Sequence, residues 1–471
     1  MKLNKNVMFV LIIFVMMAIG VANILIKKNI LIFVEVLLGI GLIGIYVYIN
    51  EKRLFLFSFW SVMLSELISE YIPQMEYSLY FFSILLVFKL LEKKFIKKEK
   101  FNLNKLIIIL TIMLFLINVI SVIYNGYSLS ISLILFGTLK KFSFIILYIF
   151  YINADISDRC IVLNFKLMFI FALIQFPILI GQYLFGITQD NISGTFGNSG
   201  TGILLQYFMN IMILLPIINK ECKKIKISYL LFAVMILFYC AIAEVKLGFI
   251  IIPFVYVLIL ISEGRYVKLI LNSIILIFTL AVVYSFFVKI YPEHDFIKKI
   301  DFSKSYLENA YGAEAVNRSN FMPLLNRTIL QSRYKRAFGT GIATANPSSV
   351  ESLEGPIARE YSYMNIHFFS LPYSIIENGL IGTIIWLGIY IYILMSNLYK
   401  YFKQRNSKCA VSILICIVTF IFIYYNSSMN TSNVIIMQVW FILSSIAPEK
   451  RVYSIDEIKE SSLKNKILIN K

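Results

Sequence analysis

The chain has 471 residues, of which 59% are hydrophobic, with a mean hydropathy of +0.80 and a formal net charge of +18. Soluble domains are not built from so apolar a composition. On a soluble protein the charge would point to nucleic acid; here it has a plainer reading, because Lys and Arg crowd the cytoplasmic loops of membrane proteins. The expected partner is therefore the lipid bilayer, and nucleic acid is not expected.

Taken in order, apolar runs fall near 7–26, 30–49, 54–72, 77–91, 105–123, 130–152, 161–185, 201–218, 227–243, 247–262, 267–289, 373–396, 409–425 and 432–446. A helix needs roughly 20 apolar residues to cross a ~30 Å hydrocarbon layer. The pattern predicts an all-α polytopic membrane protein with about fourteen spans. Twelve to fourteen fit, because the fourth run is short and the sixth is interrupted by Lys140-Lys141. The first run follows Lys2 and Lys5 but lacks a small-residue cleavage pattern, and another run follows at once. It reads as a retained helix rather than a signal peptide. The expected organisation is eleven spans in 1–290, a large external loop with short helices in 291–371, three spans in 372–446, and a basic cytoplasmic tail in 447–471.

Orientation follows from the basic residues. With the N-terminus inside, the inner segments hold 28 of the 44 Lys and Arg, including Lys93-Lys94/Lys97-Lys98 and Lys400/Lys403/Arg405/Lys408. Both termini are then cytoplasmic and the polar loop is external. The heavy use of Ile, Lys, Asn and Phe suggests an AT-rich bacterial genome, so the expected location is the bacterial inner (plasma) membrane. None of the five cysteines falls in a segment expected outside, which argues against a disulfide framework. No GxxxxGK[ST] loop is present, which argues against an ATP-driven pump. Chemistry on the outer face, where nucleotide is absent, must draw on an activated donor already in the membrane.

His367, one of only two histidines, lies at the outer mouth of the span that begins near Pro372. It is the natural candidate for a general base. Glu377 lies ten positions on, inside an apolar run, where an unpaired charge is costly. Asn378-Gly379 and Gly382 let that helix bend or pack closely. Arg327, Arg333, Lys335 and Arg336 form a basic run; in a helix Arg333 and Arg336 share a face, and arginine binds phosphate oxygens bidentately. Phe338-Gly339-Thr340-Gly341 follows, with backbone N–H groups that could cradle an anion. Lys246 sits in a tight hairpin, Glu244-Val-Lys246-Leu-Gly248, at a depth where charge marks a candidate site. The loop Ser193-Gly194-Thr195-Phe196-Gly197-Asn198 is small and polar enough to approach a sugar or phosphate. Glu293-His294-Asp295 could hold a divalent metal, but no further acidic cluster supports it, and no metal site is assigned.

Four of these features occur together and in order: the Ser193–Asn198 loop ahead of a span, Lys246 in its hairpin, Phe338-Gly339-Thr340-Gly341 in the external loop, and His367 with Glu377-Asn-Gly379-Leu-Ile-Gly382. The set resembles the O-antigen polymerase and O-antigen ligase superfamily (Wzy and WaaL types), over roughly residues 100–445. The resemblance implies a GT-C-like fold and glycosyl transfer on the outer face. The implied donor is an undecaprenyl-diphosphate-linked oligosaccharide, and the implied partner protein is a chain-length regulator. His367 would deprotonate the acceptor hydroxyl, and Lys246, Arg327, Arg333 and Arg336, with Asn198 and Glu377, would bind the diphosphate and glycan. No nucleotide, metal or other cofactor is implied. The chain departs from the pattern at Phe368, where relatives often carry Asn or Gln, and at Lys246, where they often carry Arg. Lysine keeps the charge but not the fork geometry. The leading expectation is a repeat-unit polymerase. A ligase that moves glycan to another acceptor, a lipid-linked glycan flippase, and a structural or receptor protein stay open.

Overall fold

The computed structural model describes residues 48, 50–69, 71, 73–127, 129–187, 191–197, 200–221, 228–264, 266–291, 315–318, 320–348 and 350–447. The first two expected spans and the basic tail lie outside these residues. Each of the other twelve apolar runs coincides with helix. In chain order the principal helices are α1 Glu51–Met63, α2 Ser78–Leu91, α3 Lys105–Asn125, α4 Ile131–Asn153, α5 Asp158–Leu184, α6 Thr201–Glu221, α7 Tyr229–Ile242, α8 Gly248–Ser262, α9 Tyr266–Ile290, α10 Phe321–Thr328, α11 Arg333–Phe338, α12 Ser370–Gln404, α13 Ser407–Tyr425 and α14 Asn433–Ser445. Among the described residues there is no strand. Among the same residues seven helices are long and apolar enough to cross a membrane, and α7, α8 and α14 are shorter apolar helices. The chain is thus an all-helical, multi-pass membrane protein.

The helix ends are written in the sequence. The Asn104 side chain accepts from the Leu106 and Ile107 N–H groups at 3.1 and 3.4 Å, opening α3. Gly126, at φ 68°, closes it in the left-handed conformation. Ser130 opens α4 and Asn406 opens α13 in the same way, accepting at 3.2 and 2.9 Å.

Burial sorts the helices into layers. The α6 span is 83% buried and sits at the centre with α13 and α14, whereas the α3 and α9 spans are only 28% and 17% buried. The outward faces of the peripheral helices carry Ile109, Ile112, Leu116 and Ile120 on α3 and Ile270, Ile274, Ile277 and Phe278 on α9, all exposed. In water such faces would be a large unpartnered apolar surface; in a bilayer they meet acyl chains. Hydrogen bonds join the central helices: the Asn210 amide of α6 donates to the Gln438 Oε1 of α14 at 2.9 Å. Aromatic contacts fill the remaining space, with Trp440 lying 5.0 Å from Phe144 and 5.3 Å from Tyr390 between ring centroids.

At one end of the bundle, Lys93 is 1% exposed and ties three elements together. Its ammonium lies 2.9 Å from Glu51, 3.3 Å from Glu99 and 3.4 Å from Asp155, and donates to the Asn153 carbonyl at 2.8 Å. The three carboxylates outweigh the cost of burial and hold its pKa above the ordinary lysine value. At the opposite end, short helices at Glu351–Leu353, Pro356–Glu360, Ser362–Met364 and Ile366–Phe368 join α10 and α11 over the mouths of α3, α4 and α12.

Candidate active site

The site is built where α12 breaks. Gly379 has φ 64° and ψ −175° inside the run Ser370–Gln404, so α12 is two helices joined at that residue. Gly339, just after α11, has φ 78° and ψ −168°. Both conformations belong to a region that essentially only glycine visits. The two glycines face each other backbone to backbone: a Cβ on Gly379 would lie 2.4 Å from the Gly339 nitrogen, and a Cβ on Gly339 would lie 2.4 Å from the Gly379 nitrogen. The Thr340 N–H donates to the Ile376 carbonyl at 2.8 Å and the Gly341 N–H to the Glu377 carbonyl at 2.9 Å. These are the carbonyls that the break in α12 frees. Two motifs read separately along the chain therefore form one clamp. The Gly341 N–H, offered by the sequence as part of an anion cradle, is occupied by that contact.

Glu377 is 2% exposed and fully engaged. Lys141 of α4 donates to its Oε2 at 2.5 Å, the Tyr373 hydroxyl to its Oε1 at 3.3 Å, and the Ala345 N–H to the same oxygen at 3.4 Å. Lys141 also donates to the Asn118 side-chain oxygen at 3.0 Å, and the Asn118 amide donates to Asn378 at 2.9 Å. Asn378 in turn donates to Ser374 at 2.8 Å. Asn125 of α3 reaches the Gly339 carbonyl at 3.2 Å, and Ser121 donates to the Phe338 carbonyl at 2.8 Å. Polar side chains of α3, α4 and α12 thus converge on the break. Those of α4 and α12 line a cavity of ≈ 40 Å³ together with Met429 and Asn430. Such a space suits one or two water molecules, not a sugar.

Lys140, adjacent to Lys141, points to the loop side and donates to the Asn346 side-chain oxygen at 2.6 Å. His367 lies in the helical turn Ile366–Phe368, three residues ahead of α12, and is half-buried. Burial pushes its imidazole below the ordinary histidine value, and the neighbouring Lys140 ammonium adds to the shift. An imidazole whose protonated form is disfavoured by burial is suited to take a proton from a substrate hydroxyl.

The other predicted residues are placed as follows. Arg333 and Arg336 lie in helix α11, so their i, i+3 spacing puts them on one face. Arg333 and Arg327 are exposed. The Arg336 guanidinium donates to the Leu330 and Gln331 carbonyls at 3.0 and 3.3 Å, where it caps the end of the α10 segment. Lys246 lies 3.4 Å from Glu244 within its own hairpin, which is held by the left-handed Glu244 at φ 58°. The Ser193–Gly197 loop is pinned to α5: the Gly194 N–H donates to Gln182 at 2.8 Å and the Thr195 N–H to Gln175 at 3.0 Å. Asn198, Glu293, His294 and Asp295 lie outside the described residues. The structure therefore joins Glu377 and the Gly339–Gly341 turn into one cluster and sets His367 in the turn that enters α12; among the described residues no hydrogen bond or ion pair links His367, Lys246, Arg327, Arg333 or Arg336 to it.

Sequence reasoning missed Lys140, Lys141, Asn118 and Asn346. The signal was present: two lysines inside an apolar run are costly unless paired. They read as an interruption of a helix because Asn346 and Glu377, which they reach, lie more than 200 positions away. Arg318 was also missed. It donates to the Tyr425 carbonyl at 3.0 Å and stacks over the Tyr425 and Phe369 rings at 4.6 and 5.0 Å, fixing the entry to α12 beside His367. Comparison with protein-family models, with curated proteins and with solved structures returns no match in any of the three.

Proposed function

We propose that the chain is a glycosyltransferase that polymerises undecaprenyl-diphosphate-linked oligosaccharide repeat units on the outer face of a bacterial plasma membrane. In this reading the fold carries about fourteen spans and the loop 291–371 is external. One observation carries the proposal: a half-buried His367 sits in the turn that enters the broken helix α12, where Lys140 of α4 reaches the loop residue Asn346. The order of the sequence motifs supplies the substrate class.

The chemistry follows from those two groups. The His367 nitrogen takes the proton of the acceptor hydroxyl as its oxygen attacks the anomeric carbon of the donor glycan. The new C–O bond forms as the anomeric carbon–diphosphate bond breaks, and the electron pair leaves on the lipid diphosphate. Lys140 faces the charge that develops there, which stabilises the transition state more than the ground state. Arg333 and Arg327, exposed on the loop, would close over the lipid-side phosphate, and Lys246 would act from its own hairpin. Glu377 supports the site through Lys141 rather than by touching substrate.

The test is the profile of lipid-linked oligosaccharides in a strain that lacks the chain. Loss of a polymerase leaves single repeats on the lipid or at the surface, restored to long polymer by the wild-type chain but not by His367→Ala. Single repeats confined to the cytoplasmic leaflet would instead identify a flippase and overturn the proposal.

A further inference from the structure

The loop carries a cluster of tyrosines that the chemistry at His367 does not use. Tyr127 follows the end of α3, and Tyr361 and Tyr363 lie just ahead of His367. Tyr127 and Tyr361 pack on the loop's own apolar core, which includes Leu325, Ile357 and Ile366. The Tyr361 and Tyr363 rings lie 6.3 Å apart between centroids, and Tyr363 is 55% exposed. The Lys335 ammonium lies 5.8 Å from the Tyr127 ring. Glu360 is exposed and belongs to the same patch. Burial first, and then the Glu360 carboxylate, raise the pKa of both Tyr127 and Tyr361, and Tyr361 also feels Tyr363 and Tyr127. The patch thus sets three aromatic rings around one carboxylate and one ammonium. From Tyr361 to His367 the chain can span at most ~20 Å, the reach of a short oligosaccharide.

We propose that Tyr127, Tyr361, Tyr363 and Glu360 form a glycan-binding surface, which holds the acceptor chain by the sugars beyond the one that reacts at His367. A pyranose has an apolar C–H face, which packs on the negatively polarised face of an aromatic ring, and hydroxyls around its edge. Glu360 accepts from those hydroxyls and the Lys335 ammonium donates to them, and ionised groups make the stronger hydrogen bonds. An apolar partner would leave both charges desolvated and unmatched. Tyrosines also anchor membrane proteins among lipid headgroups. Glu351, Glu354 and Glu360, on the segment that leads into the patch, disfavour that use, because each carboxylate would lose water there. The surface rests on the glycosyltransferase reading for the identity of its glycan.

The test is equilibrium binding to the full chain in detergent, read by saturation-transfer NMR, with turnover measured in parallel. The probe is surface polysaccharide from the bacterium that makes the chain, hydrolysed to oligomers of one to several repeats. The wild-type chain should bind the longer oligomers more tightly. Tyr363→Leu, which keeps apolar bulk but loses the ring, should weaken binding about fivefold and raise the acceptor KM as much, with kcat unchanged. Glu360→Gln should also weaken binding, and Tyr363→Phe should retain it. Both positions are exposed, so folding is preserved, which the elution profile checks. Turnover failing while these substitutions still weaken binding would sink the glycosyltransferase reading and leave the surface standing. No glycan bound by the wild-type chain, or wild-type binding by both Tyr363→Leu and Glu360→Gln, would overturn the surface. So would a Tyr363→Leu chain that is lost from the membrane fraction but binds glycan normally, since the ring would then be a lipid anchor.

Discussion

At the scale of the residue, the Lys141–Glu377 pair decides whether the site can exist. Each charge alone, at this depth, would be costly to bury, and together they satisfy one another with Asn118, Tyr373 and Ala345. Removing one partner is worse than removing both. Lys141→Met should destabilise the chain by about 3–5 kcal/mol, because it leaves Glu377 buried and uncompensated. Adding Glu377→Leu to Lys141→Met should recover most of that loss. Thermal unfolding in detergent measures both, and a double variant no more stable than Lys141→Met would contradict this account. The same pair shows the limit of the sequence. Glu377 stood out as a charge in an apolar run, but its partner was invisible, because nothing in the linear order marks that residues 141 and 377 meet.

At the scale of the element, most of the helices were legible and the junction between them was not. Long apolar runs with Asn or Ser at their starts need no tertiary context to be found, and most predicted runs agree with the helices within a few residues; the exceptions are the run 54–72, whose helix α1 ends at Met63, and the run 373–396, whose helix α12 continues to Gln404. Where α12 breaks, the local sequence Glu-Asn-Gly-Leu permits a bend without requiring one. What requires it is the Gly339 turn from another part of the chain, whose N–H groups replace helical donors at Ile376 and Glu377. Both glycines sit in a region closed to L side chains, with no room for a methyl group. Gly379→Ala and Gly339→Ala should each cost at least about 1–3 kcal/mol, the cost of such a backbone conformation. Gly388, which has open space around it, serves as the control: Gly388→Ala should be tolerated. Equal melting temperatures for all three variants would show that the clamp is not needed.

At the scale of the whole molecule, the account requires a bundle with two distinct ends, one carrying His367 and the loop and the other the Lys93 cluster. Reporters fused at Tyr127 should read outside and those at Lys98 and Lys403 inside. A cytoplasmic reading at Tyr127, whose ring lies 5.8 Å from the Lys335 ammonium of the loop, would place His367 where the lipid-linked donor is not exposed. The resemblance carried by four ordered motifs covers most of the helices and named the histidine. It did not point to Lys140 and Lys141 of α4, which reach Asn346 and Glu377, since a lysine in an apolar run has no motif of its own.

The most direct measurement is turnover by the purified full chain with a synthetic undecaprenyl-diphosphate-linked oligosaccharide, with product length read by mass spectrometry across pH. The wild-type chain should extend the glycan and release the lipid diphosphate. Because burial and Lys140 hold the imidazole below its ordinary pKa of 6.5, the base form dominates at neutral pH. The rate should therefore be level above pH 6.5 and fall as pH drops through the lowered value. His367→Ala should lose about 10²–10⁴ in rate and with it the acid limb. No extension by the wild-type chain, or extension by His367→Ala at the wild-type rate, would contradict the account.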